Sequence, residues 1–146
     1  MDPVSALSVA GVALQLAGLC VSVPKALSDI REKYNEADKT IRNIKYFCKA
    51  VELAARTIQA WLSSGAADRT PNLAGWREIL VGYAEAVQDL QEDVDKIVGS
   101  EHGPESPLDR IQRVKVVWNQ NSMQQHLTNL QYLSSALHLL LDATKL

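Results

Sequence analysis

Apolar residues recur three and four positions apart along most of this chain, a spacing that predicts amphipathic helices. One such run extends from Leu27 to Leu62, a second from Leu73 to Ile97, and a third from Met123 to Leu141. No segment alternates apolar and polar residues with the period of two that a half-buried strand shows. Amphipathic helices must bury their apolar stripes against one another, so the pattern predicts a helical bundle.

The predicted fold class is all-α: an antiparallel four-helix bundle with an extra short helix before the last long helix. One domain covers residues 1–146, because the length leaves little room for a second. The predicted helices cover about 4–33, 36–62, 72–98, 107–118 and 121–144. On the third helix, we expect four residues to face the first and last helices: Trp76, Tyr83, Leu90 and Ile97.

Local signals set the predicted boundaries of these helices. Asn35 followed by acidic residues is typical of an N-cap, and so is Thr70 with Pro71 at the first helical position. Gly99 is a candidate C-terminal cap. The amide-rich segment NQNSMQQ, residues 119–125, predicts a turn or a kink.

The first helix carries no charge from Val4 to Val23, about the length that a bilayer span needs. No basic region precedes it, which disfavours a signal peptide. Three polar residues spaced by seven dilute its hydrophobicity: Ser8, Gln15 and Ser22. We interpret the segment as a central helix buried on most sides by its own domain. The alternative is a helix that leaves the bundle and enters lipid. Pro24 is expected to kink or break it.

This helix supplies the candidate membrane or oligomerisation residues: Leu7, Val9, Gly11, Val12, Leu14, Leu16, Gly18 and Leu19. In solution we expect its larger apolar side chains to be mostly buried. Gly11 and Gly18, with Ala10 and Ala17, place small residues seven apart, a spacing that permits close helix approach. The same small residues could instead let the helix fit inside its own bundle.

Charge is unevenly distributed between the second and third helices. Residues 25–62 carry a net +3, and residues 72–100 a net −4. A possible lipid-headgroup face consists of Arg42, Lys45, Lys49 and Arg56, interrupted by Glu52. The alternative is a solubilising face with internal ion pairs: Asp38–Arg42, Glu52–Arg56 and, on the third helix, Glu92–Lys96. Glu78, Glu85 and Glu92, spaced by seven, predict a solvated acidic face.

The sequence carries no recognisable catalytic, cofactor or metal motif. It has no phosphate-binding loop, no nucleophile elbow and no Glu-x-x-His pair. Cys20 and Cys48 lack metal-ligand spacing and are expected to be small buried hydrophobes. The net charge of −2 disfavours nucleic-acid binding. We therefore expect no enzyme activity, cofactor or small-molecule substrate, although a ligand-binding or enzymatic bundle stays open as a further class.

Two segments of the chain resemble a known family. The opening MDPVSALSVAGVALQLAG and the closing VVWNQNSMQQHLTNLQYLSSALHLLLDA are similar to the fungal STAND N-terminal, or HeLo-like, helical domains that precede NACHT or NB-ARC modules. The resemblance implies a helical bundle that acts in programmed cell death and innate immunity of fungal NLR-like proteins. It also implies self-association on activation and perturbation of membranes by the N-terminal helix. The basic residues add an anionic membrane as a candidate partner, and we expect a cytoplasmic location with relocation to the membrane on activation. The alternative function is a non-lytic adaptor bundle that recruits a partner domain.

Overall fold

A computed structural model of the chain describes residues 5–31, 38–64, 72–101 and 120–144. Helices fill nearly all of these ranges: α1, Ala6–Arg31; α2, Asp38–Ser63; α3, Leu73–Glu101; and α4, Gln120–Thr144. The described ranges contain no strand, which confirms the prediction of an all-helical structure for this part of the chain. The predicted short helix at 107–118 and the predicted cap at Asn35 lie outside the described residues.

Short polar side chains begin two of the helices. The Ser5 hydroxyl accepts a hydrogen bond of 3.1 Å from the backbone N–H of Ser8, which makes Ser5 the N-cap of α1. The Asn72 Oδ1 atom accepts one of 3.3 Å from the N–H of Gly75 at the start of α3. The cap of α3 is therefore Asn72, not Thr70, because the helix begins two residues later than the Thr-Pro signal predicts.

Three predicted interruptions fall inside helices. α1 continues for seven residues beyond Pro24, so the proline does not break it, and the predicted kink stays a prediction. Val23 and Leu27 on either side of Pro24 are fully buried, and their packing holds the helical path. α3 continues through Gly99 to Glu101, so Gly99 is not its C-terminal cap.

The amide-rich segment, where a turn or a kink is predicted, is helical from Gln120 to Gln125, so the turn is wrong there and the kink stays a prediction. These residues form the first turns of α4, whose apolar side is held by the buried Met123. The Gln120 Nε2 atom donates a hydrogen bond of 3.0 Å to the Thr40 hydroxyl on α2. Tertiary contacts thus favour a helix where the amide-rich composition predicted a turn.

Side-chain hydrogen bonds link the helices at particular points along their lengths. Lys45 Nζ, near the start of α2, donates to the Ser28 hydroxyl near the end of α1 (2.8 Å). His126, near the start of α4, meets Asp93 in the last third of α3 at 2.6 Å. The Gln120–Thr40 bond joins the starts of α4 and α2. These three contacts are compatible with the antiparallel arrangement, which stays a prediction.

α1 is the helix that holds α2 and α3 together. It packs along α2 on one side and along α3 on the other, while α4 packs mainly along α2. α4 meets α3 over a much shorter stretch. The core is continuous, and all four helices contribute fully buried side chains to it, including Leu16, Ile44, Leu90 and Leu130.

The four core residues predicted on α3 divide into two pairs. Leu90 and Ile97 are buried, as expected. Trp76 and Tyr83 are only partly buried, and Trp76 packs against Trp61 of α2 with ring centroids 5.2 Å apart. This aromatic pair joins the end of α2 to the start of α3.

We expect Trp61→Ala and Trp76→Ala each to lower the free energy of unfolding by about 1–3 kcal/mol, less than a fully buried Trp would lose. Because the rings contact each other, the double variant should lose less than the two single losses combined, with a coupling of about 0.5–1.5 kcal/mol. Urea unfolding of the four proteins measures this coupling. Strictly additive losses would contradict a direct contribution from the Trp61–Trp76 pair.

Candidate interaction surface

α1 exposes large apolar side chains to solvent. Val9 and Leu16 are fully buried and Val12 and Leu19 partly buried, as predicted. The prediction of burial is wrong for two others, since Leu7 is 72 % exposed and Leu14 is 51 % exposed. Val21 is also exposed, and with Leu7 and Leu14 it completes a set spaced by seven. We call these three residues the apolar row; a spacing of seven keeps them on one side of the helix.

The small residues of α1 lie on two different sides. Ala10 and Ala17 are buried, so they allow close packing inside the domain. Gly11 and Gly18 are exposed, and a Cβ atom added at either position would have no neighbour within 4 Å. The idea that small residues fit α1 into its own bundle therefore holds for the alanines and not for the glycines.

A second exposed set, Ser8, Gln15 and Ser22, is displaced from the apolar row by one residue. One residue corresponds to a rotation of about 100°. Gln15 lines a groove with α3, whereas Ser28, bonded to Lys45, marks the side of α1 that faces α2. The polar set therefore borders α3, and the apolar row borders α2.

The four basic residues predicted as one lipid-headgroup face differ in burial and in hydrogen-bond partners. Lys45 is partly buried against Ser28 of α1. Lys49 Nζ and Arg56 Nε share the Glu52 carboxylate at 3.0 and 2.8 Å. These two hydrogen bonds, led by that from Arg56, hold the pKa of Glu52 below its usual range. Arg42 is exposed, like Lys49 and Arg56.

The three ion pairs predicted from the sequence have different outcomes. The Glu52–Arg56 pair is confirmed by its 2.8 Å distance. Lys96 lies 3.9 Å from Asp93, so its nearest carboxylate is that of Asp93 rather than the predicted Glu92. The side chain of Asp38 lies outside the described residues.

Two exposed apolar residues on α2 were missed by the sequence analysis. Tyr46 is 68 % exposed and Leu53 is 54 % exposed, and both lie among the basic residues of the helix. Their own spacing of seven, out of phase with the core stripe, is the signal that could have found them. We call the combined surface the apolar–basic face: Leu7, Leu14, Val21 and Lys25 of α1 with Arg42, Tyr46, Lys49, Leu53 and Arg56 of α2.

The opposite flank of α1 is acidic. Glu78, Glu85 and Glu92 are exposed on α3, as predicted. Beside them, α1 and α3 enclose a groove of about 270 Å³, which we call the acidic groove. Its lining is Val12, Gln15, Val81, Ala84, Glu85, Gln88 and Asp89.

The two cysteines meet across the α1–α2 contact. Cys20 and Cys48 are 1 % and 0 % exposed, which confirms the prediction of buried side chains. A hydrogen bond between the two thiols, together with burial, raises the pKa of Cys48 far above its ordinary value. The pair is therefore protected from reaction as long as α1 stays on α2.

The described residues contain no group of three or more His, Cys, Asp or Glu side chains that could hold a metal ion. The segment Ala6–Ser28 is long and apolar enough to cross a membrane, a property that a buried core helix or a signal sequence can share. Comparison of the chain with protein-family models, curated proteins and solved structures gives no match.

We expect Gly11→Ala and Gly18→Ala each to raise the free energy of unfolding by about 0.5–1 kcal/mol, because the added methyl group meets nothing and glycine disfavours a helix interior. Urea unfolding provides the measurement. Gly75→Ala is the matched control, since its Cβ would lie 2.8 Å from the capping Asn72 Oδ1 atom and should give no gain. A loss of stability at Gly11 or Gly18 would contradict their open surroundings.

Proposed function

We propose that this domain is the N-terminal cell-death or signalling effector of a fungal NLR-like protein, acting by self-association and membrane perturbation through α1. One observation carries the proposal: a helix with no charge from Ser5 to Pro24 displays the apolar row to solvent. Exposed apolar surface of this kind marks a site of contact with another macromolecule or with lipid. The resemblance of the two ends of the chain to HeLo-like domains supplies the biological setting.

Burial holds α1 in the domain at rest. Each fully buried aliphatic side chain, such as Val9, Leu16 or Leu27, contributes about 1.5–3 kcal/mol. α1 therefore stays docked unless lipid or another copy offers comparable burial. Clustering by a neighbouring oligomeric module would raise the effective concentration and favour that exchange.

The apolar–basic face suits a first contact with an anionic bilayer. Leu7, Leu14 and Val21 are already exposed, so they need no opening of the bundle to reach lipid. The exposed Lys49 and Arg56 lie on the adjacent helix, and each basic group near an anionic surface contributes about 1 kcal/mol. The proposal thus includes a cytoplasmic resting state and relocation to the membrane. For the whole chain it also includes an antiparallel bundle with the short helix at 107–118.

A non-lytic adaptor is the second candidate function. The exposed Tyr46 and Leu53 on α2 favour it, since they form an outer surface that does not depend on α1. An adaptor would bind a partner domain through α2 and would leave liposomes intact even when clustered.

Leu14→Glu tests the membrane function without unfolding the protein, because Leu14 is half exposed. We expect its stability to change by no more than about 1 kcal/mol. Dye release from anionic liposomes, by protein clustered through a fused oligomeric tag, should fall about tenfold or more as lipid contact is lost.

Leu139→Glu is the matched control for this experiment, since Leu139 is 71 % exposed and lies on α4, which packs mainly along α2 rather than α1. It should leave dye release unchanged. Equal loss in both variants would show that added charge alone suppresses release. No release by any clustered protein would favour the adaptor.

Alkylation of Cys20 and Cys48 reports whether α1 leaves the bundle. In solution we expect slow modification by iodoacetamide, because both thiols are buried and the pKa of Cys48 is raised. On anionic liposomes the rate, followed by mass spectrometry, should rise at least about tenfold as undocking exposes both thiols.

Oxidation of the same pair supplies the control for that measurement. A disulfide formed between the contacting thiols during refolding fastens α1 to α2, and the locked protein should lose dye release. Release by the locked form, or release while both thiols remain protected, would show that undocking of α1 is not the mechanism.

A further inference from the structure

α1 separates two surfaces of opposite charge. α2 carries five basic and two acidic residues, a net charge of +3, whereas α3 carries two basic and seven acidic residues, a net charge of −5. The apolar row of α1 borders α2, and its polar set borders α3. One molecule therefore presents an apolar–basic face and an acidic groove on adjacent sides of the same helix.

The acidic groove has the chemistry of a receptor for an apolar side chain flanked by cations. Val12, Val81 and Ala84 give it apolar walls, and Glu85 and Asp89 bring carboxylates to its lining. Its volume of about 270 Å³ leaves room for side chains of a second protein surface.

The apolar–basic face offers side chains of the chemistry that the groove accepts. On α2, Leu53 is exposed within one turn of Lys49 and Arg56. On α1, Leu14 and Val21 are exposed on the side of the helix that borders α2. Beneath this face lies the buried Glu52, whose carboxylate is already held by Lys49 and Arg56.

We propose that the acidic groove of one copy of this domain receives the apolar–basic face of a second copy. The inference refines the self-association in the proposed function and needs no release of α1. Because the two surfaces differ, the contact is heterologous, and each added copy leaves one of each surface free. Assembly therefore continues beyond a dimer, as a ring or a filament.

The dimensions of α1 suit such a contact. Its 26 residues extend about 39 Å at 1.5 Å per residue. A strip covering α1 and one neighbouring helix is about 20 Å wide, given interaxial distances of 8–10 Å. The resulting area, roughly 800 Å² per partner, is that of a specific protein–protein interface.

Charge reversal on each surface tests the proposal. The first variant carries Lys25→Glu and Lys49→Glu, which leaves the Arg56–Glu52 pair in place. The second carries Glu85→Lys and Asp89→Lys, the two carboxylates of the groove lining. Each variant alone opposes like charges, so its Kd for self-association, from sedimentation velocity over a concentration series, should rise about tenfold or more.

Mixing the two variants gives the decisive measurement. Every contact between unlike variants again pairs opposite charges, so the mixture should recover the assembly of the wild-type protein and its sensitivity to salt. Gln124→Glu with Gln131→Glu is the control: both residues are exposed on α4, which contributes no residue to either surface, so this variant should leave assembly unchanged.

The outcomes separate this inference from the proposed function. Unchanged self-association of either variant, failure of the mixture to recover, or a wild-type protein that stays monomeric would overturn the interface. Loss of liposome binding by the first variant, with a monomeric wild type, would assign the face to lipid instead. Recovery by the mixture without dye release from any clustered protein would support the interface and contradict membrane perturbation.

Discussion

The burial of one side of α1 between α2 and α3 is the contact on which the rest of the structure depends. Val9, Ala13, Leu16, Ala17, Val23 and Leu27 are all fully buried along that side. Alanines in this set let the backbones of neighbouring helices approach closely, while the leucines fill the space between turns. Because α2 and α3 pack mainly on α1 rather than on each other, removal of α1 would leave them without a shared core.

The same arrangement explains why the molecule has two unlike outer surfaces. α1 contributes no charge of its own over most of its length, so the charges of α2 and α3 decide the character of its two flanks. The apolar row and the polar set differ in position by a single residue, yet they border helices of opposite net charge. An uncharged central helix therefore separates the two surfaces instead of neutralising them.

The sequence predicted the helices well and their surroundings less well. Periodicity located all four described helices because each buries a continuous apolar stripe. The local signals of capping and composition failed at Gly99 and at Gln120–Gln125, where tertiary packing outweighs local propensity. The pattern could not show that Leu7 and Leu14 are exposed, because the narrow polar set of Ser8, Gln15 and Ser22 marks a solvent-facing side about 100° away from the apolar row. The Cys20–Cys48 contact could not be predicted, because it depends on the register of α1 against α2 and no local sequence pattern reveals that register.

Contact with a partner costs more free energy through the buried side of α1 than through its exposed side. Moving the buried side into lipid requires the domain to give up several side chains that each contribute about 1.5–3 kcal/mol, and lipid must replace them all. Using the apolar row costs no internal contact, because Leu7, Leu14 and Val21 face solvent in the folded domain. Under the proposed function, encounter through the exposed side would therefore precede any release of the buried side. A docked α1 would concentrate copies at a surface before the core opens, and crowding there would supply the burial that opening requires.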